Sequence, residues 1–214
     1  MDVTRQIIKT NNKTKLIEFS DNMQPNDFSE ETGVKRSTVH SKFSRITATI
    51  VDWTKGKKDK AVVVQYNINP EVMKAIAHTI LSGNLEDFQK VDKYSKKTGH
   101  FEQKINYYSK NSEGFSPVSS LNIRYQEQMN APWTVTIENG VGIAEVSDIG
   151  GISIKRGTYK ALHSSTVYLS RLQMAQVMLE VKNYIENFET VHMKKMLSYR
   201  EQYEEKMAQK RNAQ

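Results

Sequence analysis

The sequence predicts an α+β fold, with antiparallel sheet, two strand-to-helix repeats and a long C-terminal helix. Runs of alternating apolar residues, typical of half-buried strands, precede two segments with helical periodicity. The same strand-to-helix junction occurs twice, at residues 62–81 and 163–182. The resulting order of strands, helix, strands and helix is that of an α+β domain built on antiparallel sheet.

The two junctions align without a gap. The alignment pairs Ile68 with Leu169, Asn69 with Ser170, Met73 with Met174, Ile76 with Val177, and Ile80 with Val181. Asn69 and Ser170 are residue types that cap helix N-termini, and Pro70 suits a first helical turn. Two interpretations stay open, an internal duplication and a chance likeness between two common junctions.

The first 40 residues have weak periodicity and are rich in Asn, Thr, Asp and Ser. Such a composition favours loops, so residues 1–40 are expected to form an irregular N-terminal arm. The first strand-helix unit is predicted over residues 41–98. Its elements are a strand at 42–52, a turn at 54–59, a strand at 60–68, a helix at 70–82 ended by Gly83, and a short helix at 85–97.

The second strand-helix unit is predicted over residues 99–205. Its strands are expected at 101–109, 118–128, 132–140, 141–146, 152–159 and 164–169. The pair Asn139-Gly140 is the strongest short hairpin signal, so residues 141–146 are expected to pair back on the preceding strand. On the strand at 101–109, alternation assigns Phe101 and Ile105 to the core face and Lys104 and Tyr108 to the opposite face.

The final helix is predicted to begin at Ser170 and to run past residue 205, followed by a loose tail at 206–214. More than 35 residues of helix span about 50 Å, which exceeds one small domain. The apolar stripe of Val181, Ile185 and Phe188 is longer than a small sheet covers. A homo-oligomer formed through this helix is therefore expected.

Composition excludes several classes of function. The chain contains no cysteine, which excludes thiol chemistry and cysteine-ligated zinc. No apolar run approaches the 18 residues of a membrane span, and no secretory signal is recognisable, so a soluble cytoplasmic protein is expected. The five histidines are scattered, and neither a metal-ligand spacing nor a nucleotide-binding glycine motif occurs. We therefore predict no enzyme activity, catalytic residue, metal or cofactor.

The positive charge is concentrated in one place. The net charge is +7, and residues 41–70 hold six basic side chains against two acidic ones, a local +4. A localised basic patch is typical of proteins that bind phosphates, although a solvated lysine-rich turn would have the same composition. Aromatic residues accompany several of the cations. The candidate nucleic-acid-binding residues are Arg45, Trp53, Lys55, Lys57, Lys58, Lys60, Lys104, Tyr108, Arg124, Lys155, Arg156, Tyr159 and Lys160.

Two units of antiparallel strands, each closed by a helix, and the repeated apolar-x-Leu-Ser/Asn junction resemble the Whirly and PC4-like single-stranded DNA-binding fold. The resemblance covers about residues 42–190. It implies sheets that stack bases and helices that form the core or a dimer interface. The chain also resembles small proteins of phages and of conjugative elements of Gram-positive bacteria.

The leading hypothesis is a non-enzymatic protein that binds single-stranded DNA, or alternatively RNA, on a basic and aromatic sheet face. An alternative is an assembly subunit of a phage or conjugative element that acts through the C-terminal helix. In a third hypothesis, residues 31–40 begin a helix-turn-helix that binds duplex DNA.

Overall fold

The computed structural model describes residues 5–23, 44–89, 99–148 and 150–212, with side chains in the last helix described up to Met193 and at a few later positions. The elements within these ranges are β1 Gln6–Asn11, β2 Lys15–Asn22, β3 Arg45–Asp52, β4 Val62–Ile68, α1 Pro70–Leu81, β5 His100–Ile105, β6 Ser116–Tyr125, β7 Trp133–Gly142, β8 Ala144–Val146, β9 Ile152–Ile154, β10 Lys160–Leu169 and α2 Arg171–Asn212. Short 3-10 turns occur at Lys58–Lys60 and Glu86–Phe88.

The strands form two four-stranded antiparallel sheets and one small hairpin. The N-terminal sheet has the order β1-β2-β3-β4, and the C-terminal sheet has the order β10-β7-β6-β5. Each sheet is an antiparallel succession of four strands that leads into a helix. In the second unit the hairpin β8–β9 is inserted between the third and fourth strands. The expected α+β class, with two strand-to-helix repeats and a long last helix, is confirmed.

The two junctions aligned in sequence are structurally equivalent. Met73 and Met174 are almost completely buried, and each donates its backbone N–H to the residue before its helix. The caps differ. Ser170 Oγ accepts from the Gln173 N–H at 3.1 Å while Gln173 Oε1 accepts from the Ser170 N–H at 2.9 Å, which is a reciprocal capping box. Asn69 makes no side-chain cap, and its Oδ1 is buried without a partner among the described residues.

A single hydrophobic core joins both units. It contains the inward side chains of the two sheets, such as Ile50, Tyr66 and Ile137, together with the buried faces of α1 and α2. Since one cluster draws on all four parts, the two strand-helix units share their stabilising contacts and form one folded body. No helix in the described ranges is long and apolar enough to cross a membrane.

The edge strand β4 is fastened to the C-terminal sheet by a side chain. Asn139, on the inner face of β7, accepts from the Gln65 N–H at 3.0 Å and donates through Nδ2 to the Gln65 carbonyl at 2.9 Å. The amide thus satisfies both backbone groups of one edge residue, as a neighbouring strand would. Asn139 also donates to Ser119 Oγ, which fixes the orientation of the amide.

A buried ion pair joins the sheets at a second point. Asp52 on β3 accepts from Lys15 Nζ on β2 at 2.8 Å and from Ser165 Oγ on β10 at 3.0 Å. Burial alone would raise the pKa of Asp52, but the hydrogen bonds from Lys15, Thr54 and Ser165 outweigh it and hold that pKa well below its usual range. The carboxylate is therefore ionised in the folded protein. Its stabilising contribution is present above about pH 4 and is lost as the pH falls further.

Part of the expected N-terminal arm is ordered. The expectation of an irregular arm is wrong for residues 6–22, which form β1 and β2. Ile17 and Phe19 alternate into the core with 1% and 3% exposure. In the turn before them, Asn12 Oδ1 accepts from the backbone N–H groups of Thr14 and Lys15, which is an Asx-type turn. The helix-turn-helix hypothesis for residues 31–40 lies outside the described residues.

Three other predictions differ from the structure. Asn139-Gly140 is not a hairpin turn, because β7 continues through it to Gly142. The faces of β5 are reversed, so that Phe101 is exposed while Lys104 points inward to the ring of Tyr66. Helix α2 continues to Asn212, through most of the expected loose tail. Residues 90–98, the greater part of the short helix expected at 85–97, lie outside the described ranges.

We predict that Asn139→Ala lowers the free energy of unfolding by about 1–3 kcal/mol, because the N–H and C=O of Gln65 lose their partners. Urea unfolding measures the change. Asn11→Ala, which removes an exposed amide on β1, is the matched control and is expected to change stability by under about 0.5 kcal/mol. Equal stability of the two variants would contradict the role assigned to Asn139.

Candidate nucleic-acid interface

Each four-stranded sheet has one face in the core and one face directed outward. The outward face of the N-terminal sheet has hydrogen bonds between its own polar side chains. Asn22 Nδ2 donates to Thr47 Oγ1 at 2.6 Å, and Thr47 Oγ1 donates to Asn67 Oδ1 at 2.7 Å. None of the described residues on this face is aromatic. This face therefore offers polar groups that are already paired and no surface for stacking.

The outward face of the C-terminal sheet is different, and we call it the aromatic face. The strand register places its side chains in three rows: Tyr168, Thr134 and Arg124; Thr166, Thr136, Asn122 and Phe101; and Ser164, Glu138, Ser120 and Gln103. Tyr168 on β10 is 50% exposed and Phe101 on β5 is 56% exposed. Three strand spacings separate β10 from β5, so the two rings stand roughly 14 Å apart across the strands.

Polar contacts hold the centre of the aromatic face in place. Arg124 Nε donates to Asn122 Oδ1 at 3.0 Å, which orients the guanidinium between the two exposed rings. Thr136 and Thr166 share a hydrogen bond of 2.9 Å across neighbouring strands. The face therefore combines two exposed rings, one oriented cation and a row of small side chains, a composition that suits the stacking of bases.

A wall borders the aromatic face on one side. It consists of the hairpin β8–β9 and the segment that follows it to Lys160, and we call it the hairpin wall. Ile154 packs over Gly142 of β7, and the Tyr159 hydroxyl donates to Glu138 Oε1. Burial, followed by this hydrogen bond, raises the pKa of Tyr159 to about 12. The hydroxyl therefore stays protonated at neutral pH and fixes the border of the face.

Two glycines of β7 make room for the wall. A Cβ on Gly140 would lie 2.6 Å from the Lys160 carbonyl oxygen and 2.8 Å from the Tyr159 ring, and a Cβ on Gly142 would lie 2.7 Å from Ile154 Cγ2. A Cβ at Gly140 would collide with backbone, and a Cβ at Gly142 would require the Ile154 side chain to shift. The glycines that suggest a turn in the sequence are instead required by the close packing of the hairpin on the strand.

The loop between β5 and β6 adds aromatic residues at the same end of the sheet. Lys160 Nζ lies 4.7 Å from the centre of the Phe115 ring, which joins this loop to the hairpin wall. Lys110 Nζ lies 4.8 Å from the centre of the Tyr107 ring, and the rings of Tyr107 and Tyr108 meet edge to face. Tyr108 is 91% exposed. The loop thus extends the exposed aromatic and basic surface beyond the sheet.

Six of the residues predicted to bind nucleic acid belong to the C-terminal sheet and the segments that border it, and Arg124 lies at the end of the sheet opposite the other five. Arg124 lies on the aromatic face, Tyr108 lies in the adjoining loop, and the other four lie in or beside the hairpin wall. Those four are Lys155, Arg156, Tyr159 and Lys160, and all four are exposed.

The other predicted residues belong elsewhere. Arg45 lies on the outward face of the N-terminal sheet. Lys104 points inward, where burial and the nearby charge of Arg45 lower its pKa, and it donates to the carbonyl of Asn67. The remaining five residues lie at the turn between β3 and β4: Trp53, Lys55, Lys57, Lys58 and Lys60.

Trp53 has a structural partner. Its Nε1 donates to the Lys13 carbonyl at 3.2 Å and thereby ties the β3–β4 turn to the β1–β2 turn, and the ring is half-buried. The neighbouring lysines are exposed. The structure therefore places the most basic segment of the sequence on a different sheet from the aromatic face.

Phe101 and Tyr168 are exposed rings of the aromatic face that are absent from the residues predicted from the sequence. Phe101 is assigned to the core because its strand alternates Phe, Gln and Ile against Glu, Lys and Asn, and the apolar set is expected to be buried. The signal for Tyr168 is its position between Val167 and Leu169, which are both buried. A large ring that alternates with two core residues must face outward.

Comparison with protein-family models finds no match, and comparisons with curated proteins and with solved structures find none either. Within the described residues, no group of three or more His, Asp and Glu side chains is placed to hold a metal ion.

We predict that Gly140→Ala destabilises the protein by about 1–3 kcal/mol, since the new Cβ meets the Lys160 carbonyl and the Tyr159 ring. Thermal or urea unfolding measures the loss. Gly151→Ala is the control in the same hairpin, because its Cβ would meet only Ser147 Oγ at 3.1 Å. If the two substitutions cost the same, the hairpin does not pack on β7 as described.

Proposed function

We propose that this chain is a cytoplasmic, non-enzymatic protein that binds single-stranded DNA on the aromatic face of its C-terminal sheet. The observation that carries the proposal is the exposure of Phe101 and Tyr168 on either side of Arg124, on a face that no described helix covers. Exposed rings on a sheet stack bases whatever their sequence, and a cation between them attracts the strand.

The contrast between the two open faces supports this choice. Both faces are directed outward and both carry threonine and amide side chains, yet exposed rings occur on one of them only, within the described residues. The exposed cations of the hairpin wall, Lys155, Arg156 and Lys160, border that same face. A bound strand could place its phosphates beside the cations of the wall while its bases stack on the exposed rings of the aromatic face.

The repeated topology also supports the proposal. Two successive units of four antiparallel strands and a helix are the arrangement on which the resemblance to the Whirly and PC4-like fold rests. The phage or conjugative-element origin suggested by the sequence is part of the same proposal, since such elements pass through single-stranded DNA.

Replacing Phe101 and Tyr168 by Ala is expected to weaken binding to a labelled oligo-dT by about 1–3 kcal/mol for each ring, because each removes one stacking surface. Fluorescence anisotropy at low salt measures affinity, and the melting temperature is expected to stay within a few degrees. Leu172→Ala, at a 77% exposed position on α2, is the control and leaves affinity unchanged. No detectable complex of the wild-type protein with oligo-dT would refute the proposal.

Two triple substitutions compare the basic segments. Changing Lys155, Arg156 and Lys160 together to Ala is expected to reduce affinity strongly and to lower the salt slope of binding by about 2, the value for three phosphate contacts on a single strand. Changing Lys55, Lys57 and Lys58 removes the same charge from the β3–β4 turn. This second variant is expected to lose less affinity. A larger loss of affinity in the second variant than in the first would indicate that the interface lies on the N-terminal sheet.

A second candidate function is protein assembly through α2, and a specific observation favours it. Val191 is 77% exposed and Met193 is 52% exposed, beyond the part of the helix that Ile185 anchors in the core. Apolar side chains so exposed on a projecting helix favour contact with another helix. Self-association is compatible with DNA binding, because α2 lies on the core side of the sheets and leaves the aromatic face open.

We predict that light scattering gives a mass of at least about twice the 24.6 kDa of one chain. Val191→Lys is expected to lower that mass by placing a charge in the contact, whereas Val146→Lys, at an exposed position in β8, leaves it unchanged. A mass of one chain at all concentrations would exclude self-association through α2.

A further inference from the structure

The charges of the candidate interface are not evenly spread. Arg124 is the one cation on the aromatic face within the described residues, and the other cations lie in the hairpin wall. The row nearest the wall contains an acidic residue, Glu138, between Ser120 on β6 and Ser164 on β10. A phosphate and the Glu138 carboxylate repel each other because both are negatively charged. A bound strand would therefore turn its bases towards Glu138 and its phosphates towards the cations of the wall.

The Glu138 carboxylate is held in a fixed orientation. Its Oε1 accepts the Tyr159 hydroxyl, and its other oxygen, Oε2, accepts no hydrogen bond from the described residues. Because an ionised carboxyl group accepts up to about four hydrogen bonds, both oxygens keep capacity for further donors. A carboxylate fixed by a tyrosine on an otherwise neutral row therefore presents two acceptors side by side.

We propose that Glu138 reads a guanine base in the bound single strand by accepting hydrogen bonds from its N1–H and its N2 amino group. The inference rests on the proposed function and adds a base preference to a face that otherwise stacks any base. Single-stranded nucleic acids expose their Watson–Crick edges, and side chains read them by hydrogen bonding.

Guanine is the base whose Watson–Crick edge presents two adjacent donors. Cytosine and adenine present one amino group next to a ring nitrogen that is an acceptor, which matches only one carboxylate oxygen. Thymine presents a single N–H between two carbonyl oxygens, and both carbonyls repel a carboxylate. Inosine has the N1–H of guanine but lacks the N2 amino group. A comparison of guanine with inosine therefore measures the contribution of the N2 contact in an otherwise identical base.

The test uses a dT oligonucleotide of about twelve nucleotides and three further versions with a single dG, deoxyinosine or dC at the centre, a length within the range that one single-strand site occupies. The wild-type protein is expected to bind the dG version about tenfold more tightly than plain dT, as for other bidentate base contacts. The deoxyinosine version, with one contact in place of two, is expected to bind more tightly than plain dT and more weakly than the dG version. Anisotropy titrations at one fixed salt concentration measure all four affinities.

The matched variants are Glu138→Gln and Glu113→Gln. In the first, the new amide would keep an acceptor for the Tyr159 hydroxyl but would turn an N–H group towards the guanine donors. The ratio of the dG affinity to the dT affinity is therefore expected to fall to about one. Glu113, exposed in the β5–β6 loop, is the control, and its substitution leaves the preference intact. Melting temperatures verify that both variants fold.

The outcomes separate this inference from the proposed function. If none of the four oligonucleotides binds at low salt, the proposed function falls and this inference falls with it. If all four bind the wild-type protein equally, or if the dG preference persists in Glu138→Gln, single-strand binding stands and the reading of guanine by Glu138 is overturned. A preference for dG over deoxyinosine that Glu138→Gln abolishes supports it.

Discussion

The need to satisfy the exposed edge of β4 determines how the two halves of the molecule meet. A strand at the end of a sheet leaves backbone groups unpaired, and groups that face another element must find partners there. Asn139 supplies both partners for Gln65, and Lys104 donates to the carbonyl of Asn67. These contacts join an edge of one sheet to the inner side of the other. Both sheets turn their second face outward, and one face of each helix packs against the shared core.

The two outward faces carry different side chains. Side chains of the N-terminal sheet bond to one another across its strands, as in the chain from Asn22 through Thr47 to Asn67. The C-terminal sheet places exposed rings at Phe101 and Tyr168, and its inserted hairpin adds cations along one border. If the two units derive from one ancestral unit, the hairpin β8–β9 is an insertion found only in the second unit. Its close packing on β7 then requires glycine at positions 140 and 142.

Much of the fold follows from local pattern, since β3, β4, β6, α1 and the start of α2 have clear periodicity and recognisable ends. The features that the sequence does not reveal depend on contacts between residues that are distant in the chain. The strand β2 buries only Ile17 and Phe19 completely, too few for a clear alternation within a polar segment. Asn139-Gly140 has the composition of a turn, yet packing against Tyr159 and pairing with β10 keep it extended. The cations of the site are recognisable in the sequence, but Phe101 is not. Its orientation follows from the other face of β5, where Lys104 packs against the buried ring of Tyr66, a residue distant in the sequence.

The proposed interface places single-stranded DNA on the outward face of β5, β6, β7 and β10. Backbone amide chemical-shift mapping by NMR during titration with oligo-dT can locate the interface, because it reports on every strand without altering the protein. We expect the largest shifts on these four strands, around Phe101, Arg124, Thr136 and Tyr168, and on the hairpin wall. Shifts confined to β1–β4 and their turns, or to α2, would contradict it.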